Sequence, residues 1–137
     1  MDKDWFDLLD MPVSFSLDLA QLEKAYRQAQ WRAHPDISSS NPTLSAQINT
    51  AYLGLKNPLQ RAACLLQRFK QWPVLADPGV MQDIFHIRET GQRFSSKDMQ
   101  ILYAQLHTAF DQKDYHCAGN LYLRLCYLEK NDSFVTD

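Results

Sequence analysis

Ala33-His34-Pro35-Asp36 stands where one amphipathic pattern runs out and a polar loop, Ile37-Ser38-Ser39-Ser40-Asn41-Pro42, begins. Proline has no backbone N–H and biases the residue before it away from the right-handed helical region. The corner therefore ends a helix and sets an imidazole and a carboxylate on either side of a ring of fixed φ. A rigid, charged corner suits docking on another surface better than packing in a core. Upstream, Leu19, Leu22, Tyr26, Ala29 and Ala33 recur at helical spacing and predict one buried stripe. Asp18 opens that helix, and Gln21 three positions on completes a capping-box pattern. Lys24, Arg27 and Trp31 fall on the opposite side, with Arg32 at the margin. A solvated face is the ordinary reading of such a side. An exposed Trp beside Arg, next to a rigid corner, also fits a contact surface, because both residues are enriched at binding hot spots.

Beyond the loop, Leu44, Ile48, Ala51, Tyr52 and Leu55 predict a second helix, so the corner joins a helical hairpin. Asn57-Pro58 supplies a stop and a fresh start, with Asn as N-cap and Pro at the first helical position. The new helix carries Leu59, Ala62, Ala63, Leu65, Leu66 and Phe69. Ahead of the hairpin, Asp4 can cap a short helix bearing Trp5, Phe6, Leu8 and Leu9, which Pro12 ends. Trp72-Pro73 through Asp77-Pro78-Gly79 reads as a linker between two domains, 1–72 and 79–137. Three more helical patterns follow. Met81, Ile84, Phe85 and Ile87-Arg88 make the first, which Gly91 can close. Ser95 or Ser96 can open the second, burying Met99, Leu102, Tyr103, Leu106 and Phe110. Asp114 can cap the third, whose stripe is Ala118, Leu121, Tyr122, Leu125 and Leu128. No segment alternates at period two, and no repeat is evident. The predicted fold class is all-α.

At 137 residues and 45% apolar content the chain can bury a core without staples. A net charge of −2 lacks the basic footprint that nucleic acid requires, and it offers anionic membranes no attraction. Cys64, Cys117 and Cys126, odd in number and widely spaced, read as buried small hydrophobes in a reducing compartment. The acidic start Met1-Asp2-Lys3-Asp4 resembles neither a secretory signal nor an Arg-rich transit peptide. A bacterial-type cytoplasm is the simplest compartment, with a mitochondrial matrix fitting only if a transit peptide has been removed. His116 adjoins Cys117, but no Cys-x-x-Cys or His-x-x-x-His spacing occurs, so neither a metal nor any other cofactor is expected. Nothing local pairs a cysteine with a histidine and an orienting group, and the four glycines form no phosphate loop. A small metal- or thiol-dependent enzyme on a helical frame is therefore the weaker alternative.

The hairpin around His34-Pro35-Asp36, followed by Ile48-Asn49-x-Ala51-Tyr52-x-x-Leu55-x-Asn57-Pro58, resembles the J-domain of DnaJ-type co-chaperones. Leu59-Gln60-Arg61-Ala62-Ala63-Cys64-Leu65-Leu66, then Ile87-Arg88-Glu89 and Leu125-Cys126-Tyr127-Leu128-Glu129-Lys130, narrow the resemblance. Together they look like the HscB-type J-domain co-chaperones of iron–sulfur cluster assembly, across nearly the whole chain. That resemblance implies an N-terminal J-domain and a short C-terminal three-helix bundle. It implies docking on a seventy-kilodalton heat-shock ATPase of the HscA type, with stimulated ATP hydrolysis and no enzymatic activity of its own. It also implies delivery of a scaffold protein of the IscU type. By the same resemblance His34, Pro35 and Asp36 are the trigger, and Lys24, Arg27 and Arg32 form the basic docking face, which the exposed Trp31 joins by the reading of its own helix side. The scaffold surface carries over to Met81, Gln82, Phe85, His86 and Glu89, with Tyr127 on the last helix. Departures from the family pattern exist. Ala33 takes the place of a common aromatic and Ile37 that of a usual basic residue. The loop and the bundle are shorter than usual. His86 and Arg93 stand where acids are usual, and Gln82 where an apolar residue is. A J-type co-chaperone with a different client is the nearer alternative.

Overall fold

The computed structural model describes residues 4–33, 42–75 and 77–130, together with the backbone of 134–135. Seven helices occur among them, and the chain divides into two compact units, 1–68 and 69–137. The all-helical reading holds, except for a two-residue parallel pairing of β1 (Phe94–Ser95) with β2 (Phe134–Val135). Two residues are too few to show alternation, so no periodicity could have flagged them.

The first unit begins with α1 (Trp5–Leu9), where Asp4 and Asp7 form a reciprocal capping box. The helix ends at Leu9, before Pro12 acts, because Asp10 turns left-handed at φ 53° and the Met11 N–H bonds back to Phe6 O. Arg68, in the last turn of α4, reaches both acids, with Nη1 2.6 Å from Asp4 Oδ2 and 3.3 Å from Asp7 Oδ2. A cation at one helix end thus meets carboxylates at the start of another, an arrangement both dipoles favour.

Asp18 caps α2 (Leu19–Ala33) by accepting from the Ala20 and Gln21 N–H groups. The helix runs antiparallel to α3 (Pro42–Lys56). Tyr26 stacks on Tyr52 at 4.3 Å and donates to Asn49, while Gln30 donates to Ser45 O and accepts from Ser45 Oγ at 2.8 Å. These contacts grip the hairpin close to the ends between which residues 34–41 run. Leu22, Ala29 and Ala33 are buried as the stripe predicts, but Leu19 is 53% exposed. It opens the helix, ahead of the turns that α3 covers. Met11 and Phe15, from the irregular segment between α1 and α2, join the core instead.

Asn57 accepts from the Leu59 and Gln60 N–H groups and so opens α4 (Pro58–Arg68), with Pro58 at its first position. Arg61 is the one buried charged residue among those described. Its Nη1 donates to Leu55 O at 2.7 Å, near the end of α3, and the Phe15 ring lies 4.8 Å from its guanidinium. Burial pushes its pKa below the usual arginine value. The guanidinium stays charged in any case, so the residue serves as a buried C-terminal cap for α3. Arg61→Ala should cost about 2–3 kcal/mol in urea unfolding, through an orphaned carbonyl and a void. Arg61→Met, which keeps the volume and removes the buried charge, should lose less.

In the second unit the stretch read as a linker is partly packed. Trp72 meets Tyr122 edge-on at 5.8 Å, and Val74 lies against buried Gly119, while Phe69, expected on the fourth helix, falls just past its end at Arg68 and stacks on Tyr115 at 4.7 Å. α5 (Pro78–Thr90) ends at Gly91, left-handed at φ 65°, whose N–H bonds to Ile87 O. Ser95 and Asp98 form the capping box of α6 (Ser96–Asp111), and Asp114 caps α7 (Tyr115–Lys130) through the Cys117 N–H. α7 is the common partner: α5 and α6 each pack on it. Buried Leu106, Phe110, Leu121, Leu125 and Leu128 make this core.

Candidate functional site

The α2 face is built by helical spacing alone. Positions 24, 27 and 31 stack on one side, opposite the buried stripe that α3 covers. Lys24, Arg27, Trp31 and Arg32 are all exposed, and Trp31 is 70% exposed. Arg27, Gln28, Trp31 and Arg32 line a shallow hollow. A large exposed aromatic sharing a surface hollow with two arginines is a recognition feature, since it offers apolar area and charge together. His34, Pro35 and Asp36 lie outside the described residues.

A second face occupies α5. The sequence pattern placed Met81 and Phe85 in one apolar set with Ile84 and Ile87, and that spacing does not choose between core and surface for them. The structure turns Val80 and Ile87 onto α7 and leaves Met81 and Phe85 outside, at 55% and 59% exposure. Gln82, His86 and Glu89 are exposed on the same side, within one continuous stripe. Tyr127 sits half-buried on α7, one turn past Arg124, whose Nη2 donates to Asp83 Oδ2 at 2.6 Å. It is therefore on the helix that carries α5, level with the second half of the stripe. Two large apolar side chains one turn apart in solvent make a surface that gains by being covered.

Cysteine chemistry is not favoured by what surrounds the thiols. Cys64 and Cys126 are half-buried, and burial pushes both thiols up, against thiolate formation. Cys117 is exposed, contrary to the expectation of three buried cysteines. It stands on the side of α7 that neither α5 nor α6 fully covers. No group of three His, Cys, Asp or Glu side chains among the described residues is arranged to hold a metal ion. No described helix is long and apolar enough to cross a membrane.

One cluster escaped the sequence reading. Asp77, at the N-cap position of α5, turns its carboxylate to α7, where Oδ2 lies 2.7 Å from His116 Nε2 and accepts from Asn120 Nδ2 at 3.0 Å. The i,i+4 pair His116 and Asn120 was visible in the sequence, but their partner lies 39 positions away from His116.

No protein-family model matches the chain. A protein named Co-chaperone protein HscB homolog, from Shewanella pealeana, is 32% identical over 135 residues, which span 88% of this chain and 78% of that protein. Another of the same name, from Colwellia psychrerythraea, is 44% identical over 78 residues. That stretch spans 50% of this chain and 45% of the Colwellia protein. Among solved structures, the crystal structure of human co-chaperone protein HscB superposes with a TM-score of 0.69 at 25% identity. It covers 95% of this chain and 79% of the human one.

Proposed function

From the premise that the chain belongs to the HscB co-chaperone family, we propose that it couples an iron–sulfur scaffold protein to an ATPase chaperone. In this reading the unit 1–68 is a J-domain. Its α2 face, Lys24, Arg27, Trp31 and Arg32, docks on a seventy-kilodalton heat-shock ATPase of the HscA type, and His34-Pro35-Asp36 is the trigger. The outer face of α5, with Met81, Gln82, Phe85, His86 and Glu89, holds a scaffold of the IscU type, and Tyr127 borders it. The observation that carries the reading is the pair of unpartnered surfaces, one basic and aromatic, the other apolar, on separate units of one chain.

Each surface suits its task. Basic groups steer encounter with an acidic partner and raise the on-rate more than the final affinity. Asp36 is a carboxylate able to pair bidentately with an arginine of the ATPase. Hydrolysis is then accelerated by favouring the ATPase conformation that is competent for it, and no residue of this chain touches ATP. On α5, Met81 and Phe85 supply the apolar area, and Glu89 sets charge at the edge.

The test is the single-turnover ATPase rate of the chaperone with this protein, with and without the scaffold. The rate should rise with the protein alone and rise further with both. Scaffold capture by pull-down should fall about tenfold or more in Phe85→Ser, a loss of roughly 1.4 kcal/mol or more for one buried aromatic anchor. No capture by either the wild type or the variant would remove the iron–sulfur role. The substitutions to Gln82 and His86 favour a second reading, in which the J-domain role stands and the α5 face takes another client. Retained ATPase stimulation without scaffold capture would select it.

A further inference from the structure

Two of the three tryptophans are engaged inside the chain. Trp5 lies on the α3 backbone at Gly54, and Trp72 meets Tyr122 edge-on at 5.8 Å. Trp31 is 70% exposed, and among the described residues no ring or cation stacks on it. The arginines divide in the same way. Arg68 and Arg124 each hold an aspartate at 2.6 Å, and Arg61 donates to Leu55 O. Among the described residues no carboxylate pairs with Arg27 or Arg32, although Glu23 stands one turn before Arg27.

These three unengaged side chains, with Gln28, line one shallow hollow of about 450 Å³ toward the C-terminal end of α2. Arg27 and Trp31 are one turn apart, about 6 Å along the axis, and Arg32 directly follows Trp31. The apolar and the charged groups act at different stages of binding. Charges reach out over a Debye length, so they speed encounter and fade as salt rises. Apolar burial begins only at contact and is not screened, so it slows dissociation instead. A fully covered Trp removes about 150–250 Å² from water, more than other side chains of the face offer.

We propose that Trp31 is the residue that holds the ATPase on the α2 face, and that its seat there is an apolar side chain flanked by carboxylates. The indole covers the apolar side chain, and Arg27 and Arg32 take the carboxylates. This inference rests on the reading of α2 as the ATPase docking surface. It adds which residue sets the lifetime of the complex and which ATPase surface fits. An ATPase with a polar side chain at that seat is met quickly and released quickly.

The experiment measures association and dissociation of the full chain on the HscA-type ATPase by biolayer interferometry. It is run at about 0.1 M and about 1 M salt, where the Debye length falls from about 10 Å to about 3 Å. Trp31→Ala should raise the dissociation rate about thirtyfold at both salt concentrations, with association within about twofold of wild type. Arg27→Ala should slow association at low salt and match wild type at high salt. Trp31→Phe should recover part of the lifetime, since a smaller ring still covers apolar area. Both positions are exposed, so the melting temperatures should stay at the wild-type value. Wild-type dissociation in Trp31→Ala, an effect that disappears at high salt, or no recovery in Trp31→Phe would overturn the proposal and leave docking through α2 in place. An ATPase that neither binds the wild-type protein nor responds to it would remove the docking reading and the proposal together.

Discussion

Replacing His34 with glutamine is expected to return the chaperone's single-turnover ATPase rate to its unstimulated value while leaving the melting temperature unchanged. An allosteric coupling of about 1–3 kcal/mol, roughly 5–150-fold, is what the substitution would remove. Stability should hold because the hairpin is gripped by other side chains: Tyr26 on Tyr52, and Gln30 on Ser45. Affinity for the ATPase should fall less than the rate does, since the α2 face with Lys24, Arg27, Trp31 and Arg32 is left intact. Asp36→Asn should behave similarly, because an amide cannot replace the charge-assisted carboxylate–arginine pair. A fully active His34→Gln protein would dismiss the trigger assignment and leave the α2 face as the whole docking surface.

The second large effect concerns stability. Gly54 sits inside α3, where glycine costs about 1 kcal/mol relative to alanine. The structure supplies the reason: a Cβ there would stand well inside 3.0 Å of the Trp5 ring. Trp5 of α1 thus lies directly on the α3 backbone. Gly54→Leu should destabilise the protein by about 3 kcal/mol in urea unfolding, because the added side chain must push the Trp5 indole off the α3 backbone. Gly54→Ala should cost less, as its helix propensity offsets part of the clash. Adding Trp5→Ala to Gly54→Leu should recover part of the loss, a non-additivity that separates contact from propensity. If Gly54→Leu unfolds at the wild-type urea concentration, the ring does not bear on α3.

Local chemistry made much of the chain readable. Asp4, Asp18, Asn57, Ser95 and Gly91 each cap the helix whose boundary they were expected to mark. A cap depends on groups within three or four residues, so it can be read from a short window. The exposure of Lys24, Arg27 and Trp31 was readable for a related reason. α2 has one apolar stripe, and the side opposite it had only solvent to face.

Where a helix carries two candidate stripes, spacing cannot choose between them. On α5 the choice between Val80–Ile87 and Met81–Phe85 belongs to α7, whose Leu121 and Leu125 come from some forty residues away. Leu19 fits the α2 pattern and is nonetheless exposed, while Met11 and Phe15 obey no pattern and are buried. Burial at those positions depends on what lies across from them.

Amino-acid order by itself determined the seven helices, most of their caps, the hairpin around His34-Pro35-Asp36 and the basic face beside it. Tertiary structure alone decided which apolar stripe of α5 is left for a partner, why α3 tolerates Gly54, and that Arg61 caps α3 from inside. The physical reason is range. Hydrogen bonds and helical periodicity act within a few residues, whereas burial is conferred by whichever distant surface arrives to exclude water.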